Sequence, residues 1–355
     1  MKNIYINGLS SISPQSNPEA GADFSLSNHY KSRFLTCIEP DYKQFINPIQ
    51  IRRMSRIMKM GVSAGKMALA NAGVELPDAI IVGTGLGCLD DTEKFLVQMI
   101  ETNEMSSAPT SFISSTHNSV SAQIALQLKC LSYNFTYVHK GLSLISSFQD
   151  AFIKLSGGDA NCVLCGGIDE HVEVKFRHYD LLGWWKKEEI ENFQLYQSKT
   201  VGTISGEGAN FFVLSNAPDK STYCQLRGIM QYHDAASASE ISNQLYEFIL
   251  SCDLLPGDID LIISGVNGDI AADKYYYEVH HLLNPQAGHI GFKHLCGSYY
   301  TADGFALWLG ANILKTGSLP AETLPFSLPS SSVKNILVYN HSFEQDHVMY
   351  LLNAI

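Results

Sequence analysis

Apolar residues along this chain fall into two rhythms. Short continuous runs read as strands buried on both faces: Ile4 to Gly8, Ala79 to Val82, Phe135 to Val138, Cys162 to Cys165, Asn210 to Leu214, Cys224 to Met230, Asp260 to Gly265, Asn335 to Asn340 and Val348 to Leu352. Between them, apolar positions recur at helical spacing from Met54 to Ala72 with Gly73 as a stop, and over Asp91 to Glu101, Ser119 to Leu128, Leu144 to Lys154, Ser239 to Ser251, Lys274 to Leu283 and Ala302 to Lys315. The connectors are a turn-rich segment reaching about residue 30, a Ser/Thr-rich loop from Ser106 to Ser115, an aromatic and charged excursion with a helix over Tyr179 to Gln197, and a glycine- and lysine-bearing loop from Gly288 to Gly297. Strands and helices run through the chain twice in outline, with residues 1–215 and 216–355 as the two halves. The pattern predicts an α/β protein of two duplicated halves, whose mainly parallel sheets stack with helices between and outside them.

The stretch from Ser132 to Asp169 organises the first half. A strand enters a sharp turn, His139-Lys140-Gly141-Leu142-Ser143, a helix leaves it, and a glycine break leads into the strand ending Gly166-Gly167-Ile168-Asp169. Such a strand-turn-helix elbow holds a nucleophile where backbone N–H groups and the helix dipole stabilise negative charge. Here the turn offers no obvious nucleophile.

With 45% hydrophobic and 17% charged residues, the chain reads as globular and somewhat poor in charge. A net charge of −11 argues against a general nucleic-acid surface and against docking on an anionic membrane. Arg52, Arg53, Arg56 and Lys59 form a basic cluster, read as a solvated helix face, or as a patch for an acidic carrier protein. The eight cysteines are scattered, and Cys162 and Cys165 read as core thiols of a strand, so neither a disulfide framework nor a metal site is expected. No apolar run approaches the ~20 residues of a membrane span and no secretion signal is visible, so a cytoplasmic location is expected. Gly83-Thr84-Gly85-Leu86-Gly87 lacks the spacing of a dinucleotide fingerprint and the lysine of a P-loop, and no cofactor is expected. His280 and His281 lack the companion ligands of a metal site.

Taken in order, several of these strings resemble the β-ketoacyl synthases of the thiolase superfamily. Met54-Ser55-Arg56, the Gly83 to Gly87 loop, Asn134-Phe135-Thr136 before the elbow, and Val163 to Asp169 each resemble a family segment. Gly206-Glu207-Gly208-Ala209 matches the family's G-E-G-A, and Phe292-Lys293 with Gly297 and Ala302-Asp303-Gly304 resembles its lysine- and glycine-bearing segment. The resemblance implies a thiolase-like fold, two α/β halves in five layers, α-β-α-β-α. It also implies chemistry by an elbow cysteine that accepts an acyl group, with two histidines that serve decarboxylation and the oxyanion.

Carried over one at a time, the family's reactive positions are changed. The nucleophile position, five residues after Thr136, is Gly141; Ser143 is a weak substitute nucleophile. The first histidine falls in the loop opening at Gly265, which keeps only the Asp, at Asp273; the second falls at Ser298. The family's glycine-rich C-terminal turn is replaced by Phe343 to His347. Glu207, Lys293 and Asp273 are retained, and a buried Lys293 is expected to find a carboxylate or carbonyl network. His139 and His341 are expected as structural histidines, although both could reach the ancestral pocket.

In type II polyketide and aryl-polyene systems, family members without the nucleophile pair with an active ketosynthase as chain-length factors. The resemblance therefore implies a subunit lacking condensing activity of its own, with an active ketosynthase (as heterodimer) or a second copy (as homodimer) and an acyl carrier protein as partners, in fatty-acid, polyketide or aryl-polyene assembly. Tyr133, Phe135 and Tyr137 on the elbow strand, and Phe112, His117 and Asn118 before the next helix, are the interface and tunnel candidates it implies. Two other readings stay open: a divergent active β-ketoacyl-ACP synthase or acyltransferase using Ser143 or a displaced cysteine, and a self-associating acyl-carrier scaffold.

Overall fold

The computed structural model describes residues 3–15, 26–105, 109–235, 237–342 and 346–355. Ten strands among them form one sheet. In the first half these are β1 (Ile4–Ile12), β2 (Ala79–Gly83), β3 (Tyr133–Tyr137), β4 (Cys162–Asp169) and β5 (Gly208–Ser215). In the second they are β6 (Cys224–His233), β7 (Leu261–Ser264), β8 (Gly288–Gly291), β9 (Asn335–Ser342) and β10 (Asp346–Asn353). The order across the sheet is β8-β7-β9-β10-β6-β1-β5-β4-β2-β3, so each half runs third, second, fourth, fifth, first. A short antiparallel pairing of β1 with β6, from Ile4 opposite Leu226 to Ile6 opposite Cys224, joins the halves.

Each half is mixed rather than mainly parallel. The second strand lies parallel to both its neighbours, whereas the fifth strand runs antiparallel to the fourth and to the first. In the second half the fourth and fifth strands follow one another directly, which antiparallel pairing allows, whereas in the first half the excursion carrying α6 and the 3-10 helix lies between them.

The main helices are α1 (Arg56–Ala72), α2 (Leu89–Glu101), α3 (Pro109–Ser114), α4 (Ser119–Leu128), α5 (Ser143–Gly157), α6 (Glu173–Leu181), α7 (Ala238–Ser251), α8 (Asp273–Leu283) and α9 (Asp303–Thr316). Strand alternation sorts them into layers. Ile81, Val163 and Cys165 of the first half, and Ile263, Val338 and Tyr350 of the second, point into one core shared with α5 and α9. Ile80, Val82 and Leu164 point the other way, onto α1 and α4, while Ile262, Leu337 and Met349 face α7 and α8. The result is the five-layered thiolase-like arrangement. Helix α9 is buried on every face, as its run Phe305 to Leu309 demands of a helix between two sheets. Among the described residues no helix is long and apolar enough to cross a membrane.

Three segments differ from the sequence expectation. The described part of the Ser106 to Ser115 loop is helix α3, opened by Pro109 and anchored by Phe112 packing on Phe95 at 5.3 Å. The Gly288 to Gly297 loop contains strand β8 and a short helix, Lys293–Cys296. The excursion's helix starts at Glu173, and its later part is a two-residue strand and a 3-10 helix, Asn192–Gln197. The turn-rich expectation for residues 16–25 and the replacement turn at 343–345 lie outside the described residues.

Candidate functional site

Strand β3 does enter α5 through a tight turn, a 3-10 helix over Lys140–Leu142. Gly141 is buried there, and a Cβ on it would lie 2.5 Å from Ser342 Oγ and 2.6 Å from Ser342 Cβ. Carbon atoms pack at about 3.5–4.0 Å, so strand β9 has closed the space into which a nucleophile would project. Ser143 is wholly buried, and its Oγ accepts from His139 N (2.7 Å) and donates to Lys140 O (2.8 Å). That hydroxyl staples the turn. Burial also pushes up the thiols of Cys37, Cys88, Cys165 and Cys224, and those of Cys162 and Cys296 to about 12, the reverse of what a thiolate nucleophile needs.

The first histidine position is closed in the same way. A Cβ on Gly265 would meet Asn340 Oδ1 at 2.1 Å and the Tyr276 hydroxyl at 2.4 Å. Ser298 is different: it borders a cavity of about 270 Å³. Trp185, Lys293, Tyr299, Tyr300 and His341 form its buried floor. Half-exposed Lys175, Tyr179, Trp184 and Ser342 share its rim with Ser298. The Ser298 hydroxyl lies 3.3 Å from Thr203 Oγ1.

Lys293 departs from expectation. It is 4% exposed, yet among the described residues no carboxylate or carbonyl network receives its ammonium, whose recorded neighbour is the Phe292 ring at 5.1 Å. Burial lowers its pKa, against a raising influence from Cys296 and Asp303. Asp303, also buried, is raised to about 7 by desolvation, and its Oδ2 accepts from the Tyr350 hydroxyl at 2.5 Å. His341 lines the cavity, stacked on Tyr276 at 4.3 Å and pushed down to about 3 by burial, so it is neutral. His139 is exposed and does not border the cavity.

The other retained positions build scaffold. Glu207, fully buried, receives both Arg56 guanidinium nitrogens at 2.6 Å and the backbone N–H groups of Cys37 and His171 at 2.8 and 2.7 Å. Arg56, 30% exposed, bridges surface Glu39 and buried Glu207, so its guanidinium is committed to ion pairs rather than free in a solvated or carrier-facing cluster; a sequence reading sees only that it follows Met54-Ser55. Asp273 accepts from Asn267 N and Gly268 N, both at 2.8 Å, which fixes the loop after β7; burial raises it to about 7. Asp169 holds the two halves together through Gly85 N and through the Thr301 N–H and hydroxyl, all within 2.8–2.9 Å.

Strand β3 closes one end of the sheet and pairs only with β2 among the described residues. Tyr133 and Phe135 are 38% and 46% exposed and stack at 6.1 Å, with Tyr137 tilted against Phe135 at 5.0 Å along the same face. Phe112 (56% exposed) lies on α3, while exposed His117 and Asn118 precede α4. The aromatic strand and the α3–α4 corner therefore share the open end of the sheet. The sequence reading missed Lys175, Trp184, Trp185 and Tyr300, which no motif carries; the aromatic and charged composition after Tyr179 was the one available signal. Among the described residues no group of three or more His, Cys, Asp or Glu is placed to hold a metal.

Comparison with known proteins agrees with this geometry. The ishigamide ketosynthase/chain length factor superposes with a TM-score of 0.81 at 16% identity, covering 100% of this chain and 99% of that one. A β-ketoacyl synthase from Burkholderia phymatum STM815 gives 0.81 at 13%, with 100% of both chains covered. A type II PKS acyl-carrier protein in complex with its ketosynthase bound to the hexaketide (AntDE:AntF) gives 0.78 at 12%, covering 100% and 99%. No curated protein matches by sequence. The model of the β-ketoacyl synthase N-terminal domain matches residues 22–220, more than half of the chain, and with the thiolase-like layers and the ordered motifs it establishes that this chain belongs to the β-ketoacyl synthase family.

Proposed function

We propose that this chain is a ketosynthase-like subunit without condensing activity of its own, which pairs with an active β-ketoacyl-ACP synthase as a chain-length factor. One observation carries the reading: the elbow residue is Gly141, and Ser342 fills the room that a reactive side chain would need. The sealing of Gly265 and the capping role of Ser143 support it, because neither the histidine nor a substitute nucleophile has a place to work. The open β3 edge, with Tyr133 and Phe135 exposed, is a template for strand pairing across a two-fold axis. Phe112, His117 and Asn118 then shape the partner's acyl tunnel from the adjoining corner. Likeness to a ketosynthase/chain length factor, and to a ketosynthase held with its carrier protein, favours a ketosynthase and an acyl carrier protein as the partners.

The experiment is to purify the chain alone and together with the active ketosynthase from the same source, present acyl-carrier protein, and follow acylation by intact mass. The expected result is a stable heteromer in which only the partner is acylated and condenses malonyl units. Acylation of the lone chain, or failure to associate with any ketosynthase, would overturn the proposal.

A further inference from the structure

The cavity behind Ser298 is built for something other than a thioester. Lys293 is 4% exposed, borders the cavity, and forms no hydrogen bond or ion pair among the described residues. An unpartnered ammonium in a protein interior is costly, and a ligand that supplies the counter-charge removes the cost. Lys175, half-buried at the rim, lies 5.5 and 6.0 Å from the Tyr300 and Tyr179 ring centroids. The one acid on the described lining, Asp269, already accepts from Gly202 N at 2.8 Å and Ala271 N at 2.9 Å, and His341 is neutral. The lining itself therefore carries two lysines against one engaged carboxylate, with Asp169, Glu170 and Glu207 acting on Lys175, and Asp303 on Lys293, from behind it.

The walls narrow the ligand class. Trp185 and Tyr299 add aromatic carbon to the lining, and Lys175 lies over the Tyr300 and Tyr179 rings that could have attracted a cationic ligand. A volume of about 270 Å³ lies just under the range of about 300–1,000 Å³ typical of drug-sized ligands, so the occupant is small. The cavity ends at Ser342, which closes off residue 141, so no covalent loading accompanies binding.

We propose that this cavity binds a small organic acid in its free, ionised form, the carboxylate held by Lys293 and Lys175 and the apolar body lying against Trp185. Binding is a property of the lone chain and does not rest on pairing with a ketosynthase, so the two ideas fail separately.

The test titrates octanoate and benzoate into the purified full chain, followed by tryptophan fluorescence and calorimetry, with octanamide, benzamide and inorganic phosphate as controls. Both acids should bind saturably. The amides and phosphate should bind at least about tenfold more weakly, as should the acids to Lys293→Met and Lys175→Met, the loss expected for a charge-assisted contact. Lys293→Arg, which keeps the charge, should bind better than Lys293→Met. Lys175 lies on a different element from Lys293, so its variant reports the loss independently. Equal binding of acid and amide, phosphate binding as well as octanoate, parental affinity in both methionine variants, or no saturable binding of either acid would each overturn the proposal.

Discussion

Replacing Gly141 with alanine tests whether the elbow has been vacated and then filled. The added Cβ would sit 2.5 Å from Ser342 Oγ and 2.6 Å from Ser342 Cβ, with Asp346 Cβ at 3.4 Å. Ser342 Oγ can rotate away, but its Cβ is fixed to strand β9, so the turn and the strand must separate by about 1 Å to reach normal carbon contact. Overpacking of this kind costs about 1–3 kcal/mol, a fall in melting temperature of roughly 2–6 °C for a chain of this size. Gly141 has no positive φ, so alanine meets no backbone penalty and the cost is one of space alone. Ser342→Gly removes both offending atoms and should restore most of the lost stability in the double variant, whereas Ser342→Ala keeps the Cβ and should restore little. Thermal melts by circular dichroism on the four proteins give the coupling energy, expected at about 1–3 kcal/mol. If Gly141→Ala melts with the parent, or if Ser342→Gly brings no rescue, the elbow is not sealed. The same geometry predicts that Gly141→Cys alone gains no acylation by intact mass.

Arg56→Ala leaves the Glu207 carboxylate buried with only two backbone donors and should cost about 3 kcal/mol in urea unfolding. Adding Glu207→Gln, which removes the stranded charge, should recover part of that loss; no recovery would refute the pairing argument. Asp303 is raised to about 7 in the fold, so the folded chain keeps a proton that the unfolded chain releases at the ordinary value of 3.8. That stabilisation is full below about pH 4 and is lost as pH rises to about 7, so melting temperature should fall more between about pH 5 and about pH 8 in the parent than in Asp303→Asn, and parallel profiles would contradict the assignment. Phe135→Lys sets a charge at the middle of the open β3 edge and, under the proposed pairing, should leave monomer in sedimentation velocity; an unchanged assembly would move the interface elsewhere.

The sequence by itself determined the layers. A strand buried on both faces must be apolar at every position, as Ala79 to Val82 and Cys162 to Cys165 are, and a helix between two sheets must be apolar all round, as Phe305 to Leu309 is. That Gly141 and Gly265 have no side chain with which to react was equally legible, while their reading as lost reactive positions rests on the family resemblance. Strand β8 was hidden because Gly288-His289-Ile290-Gly291 has one apolar side chain, and the strand exists through its pairing with β7, a contact distant in sequence. For the same reason Arg56 looked like a surface charge until the fold brought Glu207, 151 residues away, within 2.6 Å. Whether Gly141 borders an empty pocket or a filled one was also beyond the sequence. Ser342 at 2.6 Å from the position of a Cβ on Gly141, and Lys293 facing a cavity with no hydrogen-bond partner among the described residues, are facts of packing between segments that the chain separates by far, and only the tertiary structure decided them.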